Sequence, residues 1–249
     1  MLRYIPNFIT AANLFCGCVA SVLVSLNQFE AAFMIVLLGI IFDLFDGLLA
    51  RLLNVTSKLG LQLDSLADLI TSGFVPGLVV YQLFLRSGVL VNHYKINLFS
   101  DEITISIAPI AMTSFIIPIG AAFRLAKFNI RDSKSDDFFG LPTPANAIFF
   151  CSLPLFIDHP SFTFISYYLK SAYVLIFLTL LFVFLMNSSW RLFSLKNNTG
   201  FEIKKLIYPI LLILCSIPLI FYFKGAAFPI IIFIYLLLSA SRNWILFQS

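Results

Sequence analysis

Charge is what this chain has least of. Of its 249 residues 16 are Lys or Arg and 12 are Asp or Glu, 11% in all, while 60% are hydrophobic and the mean hydropathy is +0.99. A soluble domain carries about 25% charged residues and is about 45–50% apolar, so a water-exposed globule is excluded. Runs of five or six like charges are also missing, which excludes a nucleic-acid footprint. Histidine is limited to His93 and His159, and the four cysteines (Cys16, Cys18, Cys151, Cys215) form no CxxC pair, which argues against a zinc site or a disulfide framework. Lying in apolar stretches, the cysteines are expected to be buried thiols. No small-residue cleavage site separates the first apolar stretch from the second, so the first is expected to be a retained helix and not a signal peptide.

What the chain has in abundance is long apolar runs, enough of them to cross about 30 Å of hydrocarbon repeatedly. Breaks at polar, Pro, Gly and Asn residues give eight expected spans, at 5–26, 31–53, 64–85, 104–128, 143–157, 171–187, 205–223 and 226–246. The expected fold is all-α, a polytopic membrane helix bundle of about eight transmembrane helices. An even number puts both termini on one side. Twelve of the 16 Lys and Arg residues then fall on that side, with only Arg86, Lys95, Lys170 and Lys224 opposite, which predicts cytoplasmic termini. Pro144, Pro154, Pro209 and Pro218 predict kinks or interfacial segments, and 86–103, 129–142 and 188–204 are expected to be loops.

Against this background a few charges sit where they are expensive. Asp43, Asp46 and Arg51 interrupt the second span, and Asp64 and Asp68 open the third. An acid at membrane depth costs about 2.5–3.5 kcal/mol, so four near one face need a compensating partner. At about 100° per residue, Asp43, Asp46, Gly47, Ala50 and Arg51 fall within an arc of about 140°. Asp64 and Asp68, at i and i+4, share a stripe with Thr71. The short link near 54–58 makes these helices antiparallel neighbours, so the carboxylate pairs converge at one membrane face. One Arg does not balance four acids. An all-oxygen ligand set suits Mg²⁺ or Mn²⁺, expected as two ions. Small Gly47 and Ala50 leave room beside the carboxylates, and Arg51 offers a fork of donors matched to phosphate, so the ligand is expected to be phosphorylated. The alternatives are interhelical salt bridges, or a divalent-cation or proton-coupled transporter. Transporters usually place such acids near the midplane, on repeated elements.

The run FDLFDGLLARLLNVTSKLGLQLDSLADL reads Asp43-x2-Asp46-Gly47-x2-Ala50-Arg51-x8-Gly60-x3-Asp64-x3-Asp68, and resembles the complete signature of the CDP-alcohol phosphatidyltransferases. PNFITAANLFCG, with Pro6, Asn7, Thr10, Asn13 and Gly17, is similar to the segment preceding that signature. GAAFRLAKFN (120–129) and FFGLPTPANA (138–147) resemble the bacterial CDP-diacylglycerol–serine O-phosphatidyltransferase branch, so the likeness covers about residues 4–150. One stretch departs: where that branch reads SFGxxPA, this chain has Thr71-Ser72-Gly73-Phe74-Val75-Pro76-Gly77.

The resemblance implies an integral-membrane enzyme of phospholipid biosynthesis. The hydroxyl of L-serine attacks the lipid-side phosphorus of CDP-diacylglycerol, giving phosphatidylserine and CMP. It implies Asp43, Asp46, Asp64 and Asp68 as metal ligands, with Asp68 also the general base, and Gly47, Ala50, Arg51 and Gly60 at the CDP-diacylglycerol site. Asn7, Thr10 and Ser57 are further candidates there. Arg124, Lys127 and Asn129 are candidates for holding the acceptor, against the alternative that Lys127 and Arg131 merely anchor a helix at the headgroups. Asn146 is a further candidate to reach substrate. Glycerol 3-phosphate or an inositol phosphate is the alternative acceptor. Residues 1–157 are expected to form the catalytic region and 158–249 additional helices of the same membrane domain. A homodimer in a bacterial inner membrane is expected, its active site facing the cytoplasm and no nucleic acid among its partners.

Overall fold

The computed structural model describes residues 4–53, 55, 57–98, 101–130, 140–190 and 203–248, with side chains for all of these except 96–98, 101–103, 203–206 and 242–248. Helix α1 (Ile5–Ser25) starts with Pro6 in its first turn, where a missing N–H costs nothing. It ends where Asn27 takes a left-handed conformation (φ 60°), which Asn tolerates better than most residues and which reverses the chain into α2 (Phe29–Leu52). The two helices pack against each other, with Ala20 and Val24 of α1 and Ala32, Phe33 and Val36 of α2 buried in one core cluster.

Helix α3 (Lys58–Asp68) is capped by Ser57, whose Oγ accepts from Gly60 N at 3.0 Å. It runs without a break into a π-helical turn, Leu69–Phe74, and then α4 (Val75–Arg86). The π turn overlaps, at Thr71–Phe74, the stretch whose sequence departs from the related branch. Thr71 sits in it with its Oγ1 donating to Asn13 O at 3.0 Å. A Cβ on Gly17 would lie 2.6 Å from that Oγ1, and one on Gly39 2.9 Å from its Cγ2. Glycines on α1 and α2 thus make the slot that Thr71 fills.

Strands β1 (Asn92–Leu98) and β2 (Asp101–Ile107) form an antiparallel hairpin, pairing Asn92 with Ile107 and Leu98 with Asp101. This corrects two expectations. The connection expected as a loop is largely a strand, and 104–107, expected as helix, is its partner. Tyr94-x-Ile96-x-Leu98 and Ile103-x-Ile105-x-Ile107 alternate with period two, a strand signal outweighed by the neighbouring apolar run. Pro109 then opens α5 (Pro109–Met112), which continues through a 3₁₀ turn into α6 (Ile116–Ile130). Helix α7 (Thr143–Ile157) retains Pro154 in its interior, and α8 (Thr163–Leu169) follows at a bend of 89°. Helices α9 (Ala172–Asn187), α10 (Ile203–Phe223) and α11 (Phe228–Gln248) complete the chain.

The bundle is organised around α7. It is buried on nearly every side and packs against α2, α4, α9 and α11, with Phe149 stacked on Phe182 of α9 and Phe150 edge-on to the same ring. Among the described residues five helical stretches are long and apolar enough to cross a membrane, or six if the bent pair of α7 and α8 is counted as one span; 207–241 is one continuous stretch in that count. The chain is therefore a mostly helical membrane protein carrying one β-hairpin. Cys16 and Cys151 are buried, but Cys18 is exposed, because it lies about 200° around α1 from Cys16, on the outward side. Most of 129–142 and 188–204, with Arg131, lies outside the described residues.

Candidate active site

Four carboxylates enter from two helices. Asp43 projects from α2, and Asp64 and Asp68 from α3. One oxygen from each of these three lies within 4.8 Å of the others, a spacing at which a shared cation can be ligated. No Lys or Arg nitrogen among the described residues comes within ion-pair distance of them, and Asp64 Oδ1 is buried without a hydrogen-bond partner. Three mutually repelling acids with an unpartnered buried oxygen fit a hard divalent cation better than a salt-bridge network.

Asp46 stands outside that trio. It is buried, and its Oδ2 accepts from Thr10 Oγ1 at 2.5 Å, the same hydroxyl lying 3.0 Å from Pro6 O. Asn13, one turn further along α1, donates from Nδ2 to Asp68 Oδ1 at 3.3 Å. From the sequence alone Asn13 is only a motif position. The signal was there, since Pro6, Thr10, Asn13 and Gly17 recur at three- and four-residue steps and so line one face of α1. That face holds the two acids in register: Thr10 fixes Asp46, and Asn13 fixes Asp68.

Beside the acids opens a cavity of about 300 Å³ bounded by α1, α2 and α3. Its walls include Asp46 and Asp64 together with Asn7, Thr10, Gly47, Ala50, Arg51, Ser57 and Gly60, every residue the sequence assigned to the CDP-diacylglycerol site. Arg51 is exposed, with Nε donating to Gly47 O at 3.0 Å. A Cβ at Gly47 would meet only Arg51 Nη2, at an ordinary 3.6 Å, so packing within the protein does not demand glycine there; the space it leaves belongs to the cavity. At Gly60 a Cβ would come within 3.1 Å of both Asn7 Oδ1 and Ser57 Oγ.

The three acceptor candidates on α6 separate. Arg124 turns inward, its Nη1 donating to Thr143 Oγ1 of α7 at 3.3 Å, and it lies within electrostatic reach of Asp68. Its Nε is buried without a partner. Asn129 donates from Nδ2 to Ser65 Oγ at 2.9 Å and ties α6 to α3. Lys127 is exposed and lines a different groove, of about 340 Å³ between α6 and α9, with Ile116, Phe123, Val183 and Phe184. The two histidines stay away from the acids, His93 beside Ser106 in the hairpin and His159 capping the turn at Pro160.

A sequence model of the family described as CDP-alcohol phosphatidyltransferase matches residues 3–185. The chain is similar to proteins named CDP-diacylglycerol–serine O-phosphatidyltransferase. It is 33% identical to that of Bacillus subtilis over 143 residues, 57% of this chain and 71% of the relative. It is 36% identical to that of Helicobacter pylori over 149 residues, 59% and 55%, and 31% identical to that of Methanocaldococcus jannaschii over 152 residues, 60% and 61%. The matched stretch thus spans only somewhat more than half of the last two.

Proposed function

Because the chain belongs to the CDP-alcohol phosphatidyltransferase family, we propose that it transfers the phosphatidyl group of CDP-diacylglycerol to the hydroxyl of L-serine, making phosphatidylserine and CMP for phospholipid biosynthesis. The observation that carries this reading is the juxtaposition of the acid trio with a cavity of about 300 Å³ that Arg51 helps to line. The names of its relatives add the acceptor.

In this reading the nucleotide diphosphate occupies the cavity. Asn7, Thr10 and Ser57 supply hydrogen-bonding groups, Gly47, Ala50 and Gly60 supply space, and Arg51 binds diphosphate oxygens through its fork of donors. The acyl chains stay in the hydrocarbon. Mg²⁺ or Mn²⁺ held by Asp43, Asp46, Asp64 and Asp68 would neutralise charge on the diphosphate as it builds. Asp68, steadied by Asn13, takes the proton from the serine hydroxyl. That oxygen forms a bond to the phosphatidyl phosphorus while the bond to the CMP oxygen breaks, and CMP leaves with the electron pair. Arg124 faces the serine carboxylate, Asn129 holds the end of α6 against α3, and Lys127 lies outside the reaction.

We place both termini and the acids on the cytoplasmic side of a bacterial inner membrane, on the Lys/Arg asymmetry, with eight crossings and a homodimeric assembly. Residues 1–157 carry the chemistry, and 158–249 wall the same domain. The test is CMP release by the purified protein in liposomes with CDP-diacylglycerol and Mn²⁺ or Mg²⁺, comparing L-serine, glycerol 3-phosphate and inositol phosphates. Metal-dependent release with serine alone is expected. Release with another alcohol keeps the family and overturns the acceptor, and no release with any alcohol, from folded protein, overturns the transfer itself.

A further inference from the structure

Arg124, within electrostatic reach of Asp68, belongs to a buried polar group outside the lining of the CDP cavity. Arg124 is the hub: it bonds Thr143 at the start of α7 and lies within electrostatic reach of both Asp68 and Tyr235 of α11. One turn along α7 from Thr143 is Asn146, with no solvent exposure at all, and neither its Nδ2 nor its Oδ1 has a hydrogen-bond partner. On α11, which packs against α7, Ser239 follows Tyr235 by four residues on the same face. Ser239 is also fully buried, within side-chain hydrogen-bonding reach of Tyr235. With Arg124 Nε, three polar atoms on two helices, α6 and α7, are buried and unpartnered. Hydrocarbon offers no water to satisfy them, and native interiors rarely leave an amide unused at both ends.

The donors and acceptors specify what fits. A carboxylate matches the guanidinium of Arg124. Asn146 then needs one neighbour that donates and one that accepts, and an α-ammonium beside a carboxylate supplies both. A second phosphate would require a further cation, and among the described residues none besides Arg124 is present in this group.

We propose that Asn146, Tyr235 and Ser239 line the acceptor chamber, and that α11 determines which alcohol is accepted by closing that chamber around the amino-acid head of a small zwitterion. The proposal rests on the acceptor reading above and adds to it a helix that lies beyond residue 185, where the family match ends. It gives the C-terminal region a role in specificity beyond filling the bundle.

The test uses full-length protein in liposomes, with CMP release measured against serine and against CDP-diacylglycerol separately. Asn146→Leu, which keeps the volume and removes the amide, is expected to raise KM for serine at least about tenfold, equivalent to about 1.4 kcal/mol, while KM for CDP-diacylglycerol stays within about twofold. Tyr235→Phe and Ser239→Ala, which remove one hydroxyl each, are expected to raise the serine KM by about threefold or more, with kcat little changed. A CDP-diacylglycerol-dependent thermal shift establishes that each variant is folded, and should Asn146→Leu fail that check the two hydroxyl variants decide. If wild-type protein turns over serine and these variants keep its KM, the chamber is overturned while the function stands. If wild-type protein does not use serine, both fall.

Discussion

The two cavities differ little in size, about 300 and 340 Å³, and almost completely in chemistry. The first, between α1, α2 and α3, adjoins four acids and carries polar groups from three helices. The second, between α6 and α9, is walled by Ile, Phe and Val, with Lys127 at its edge and Asn187 Nδ2 already spent on the carbonyls of Gly120 and Val183. Volume alone does not make a site. What distinguishes the first is that its acids are positioned by donors on a separate helix, Thr10 and Asn13 on α1, whereas the second is a packing groove whose glycine admits the neighbouring helix. A Cβ on Gly120 would come within 2.8 Å of Val183 Cγ1.

Substitutions on the two sides can sharpen or break that contrast. Asp68→Asn, which removes the proton acceptor while keeping shape, is expected to lower CMP release by about a thousandfold, within the range for general-base removal, and chelation of divalent metal should do at least as much to wild-type protein. Arg51→Ala should raise KM for CDP-diacylglycerol by about ten- to a hundredfold, in keeping with about 1.5–3 kcal/mol for hydrogen bonds to a charged group, and leave KM for serine nearly unchanged. Thr10→Val leaves Asp46 without its donor, and a loss of about tenfold in kcat is expected in the same assay. In the second cavity, Gly120→Val should act on stability, lowering the melting temperature by an amount equivalent to about 1–3 kcal/mol, because Val183 has to move. Smallest of all is Lys127→Ala, for which both KM values should stay within about twofold of wild type; a serine KM raised tenfold would restore it to the acceptor site and break the contrast.

Much of the first cavity was legible in the sequence because helix periodicity and fixed spacing place side chains without tertiary information. Asp43, Gly47, Ala50 and Arg51 had to share a face once α2 was a helix, and Asp64 and Asp68 likewise on α3. The separation of Arg124 from Lys127 is only partly legible, in that Arg124 lies deeper in the apolar run and Lys127 nearer its end. Three residues apart on α6, they are only about 60° around the helix from one another, and which of them turns inward is decided by where α7 and α9 pack. The π turn at Leu69–Phe74 was hidden for a related reason, since it depends on Thr71 finding a slot formed by Gly17 and Gly39, 54 and 32 residues away. The hairpin at 92–107 is written in a period-two alternation that the adjoining apolar run masks. The placement of Tyr235 and Ser239 is not legible in the sequence at all, since it depends on α11 packing against α7.

The central claim is that a serine hydroxyl, deprotonated at Asp68, attacks the phosphatidyl phosphorus. The most direct measurement follows a heavy oxygen isotope placed in the serine hydroxyl through one round of turnover, with mass spectrometry of both products. All of the label is expected in phosphatidylserine, bridging serine to phosphorus, and none in CMP, with neither product formed by Asp68→Asn. Unlabelled phosphatidylserine, or full product from the Asp68 variant, would contradict it.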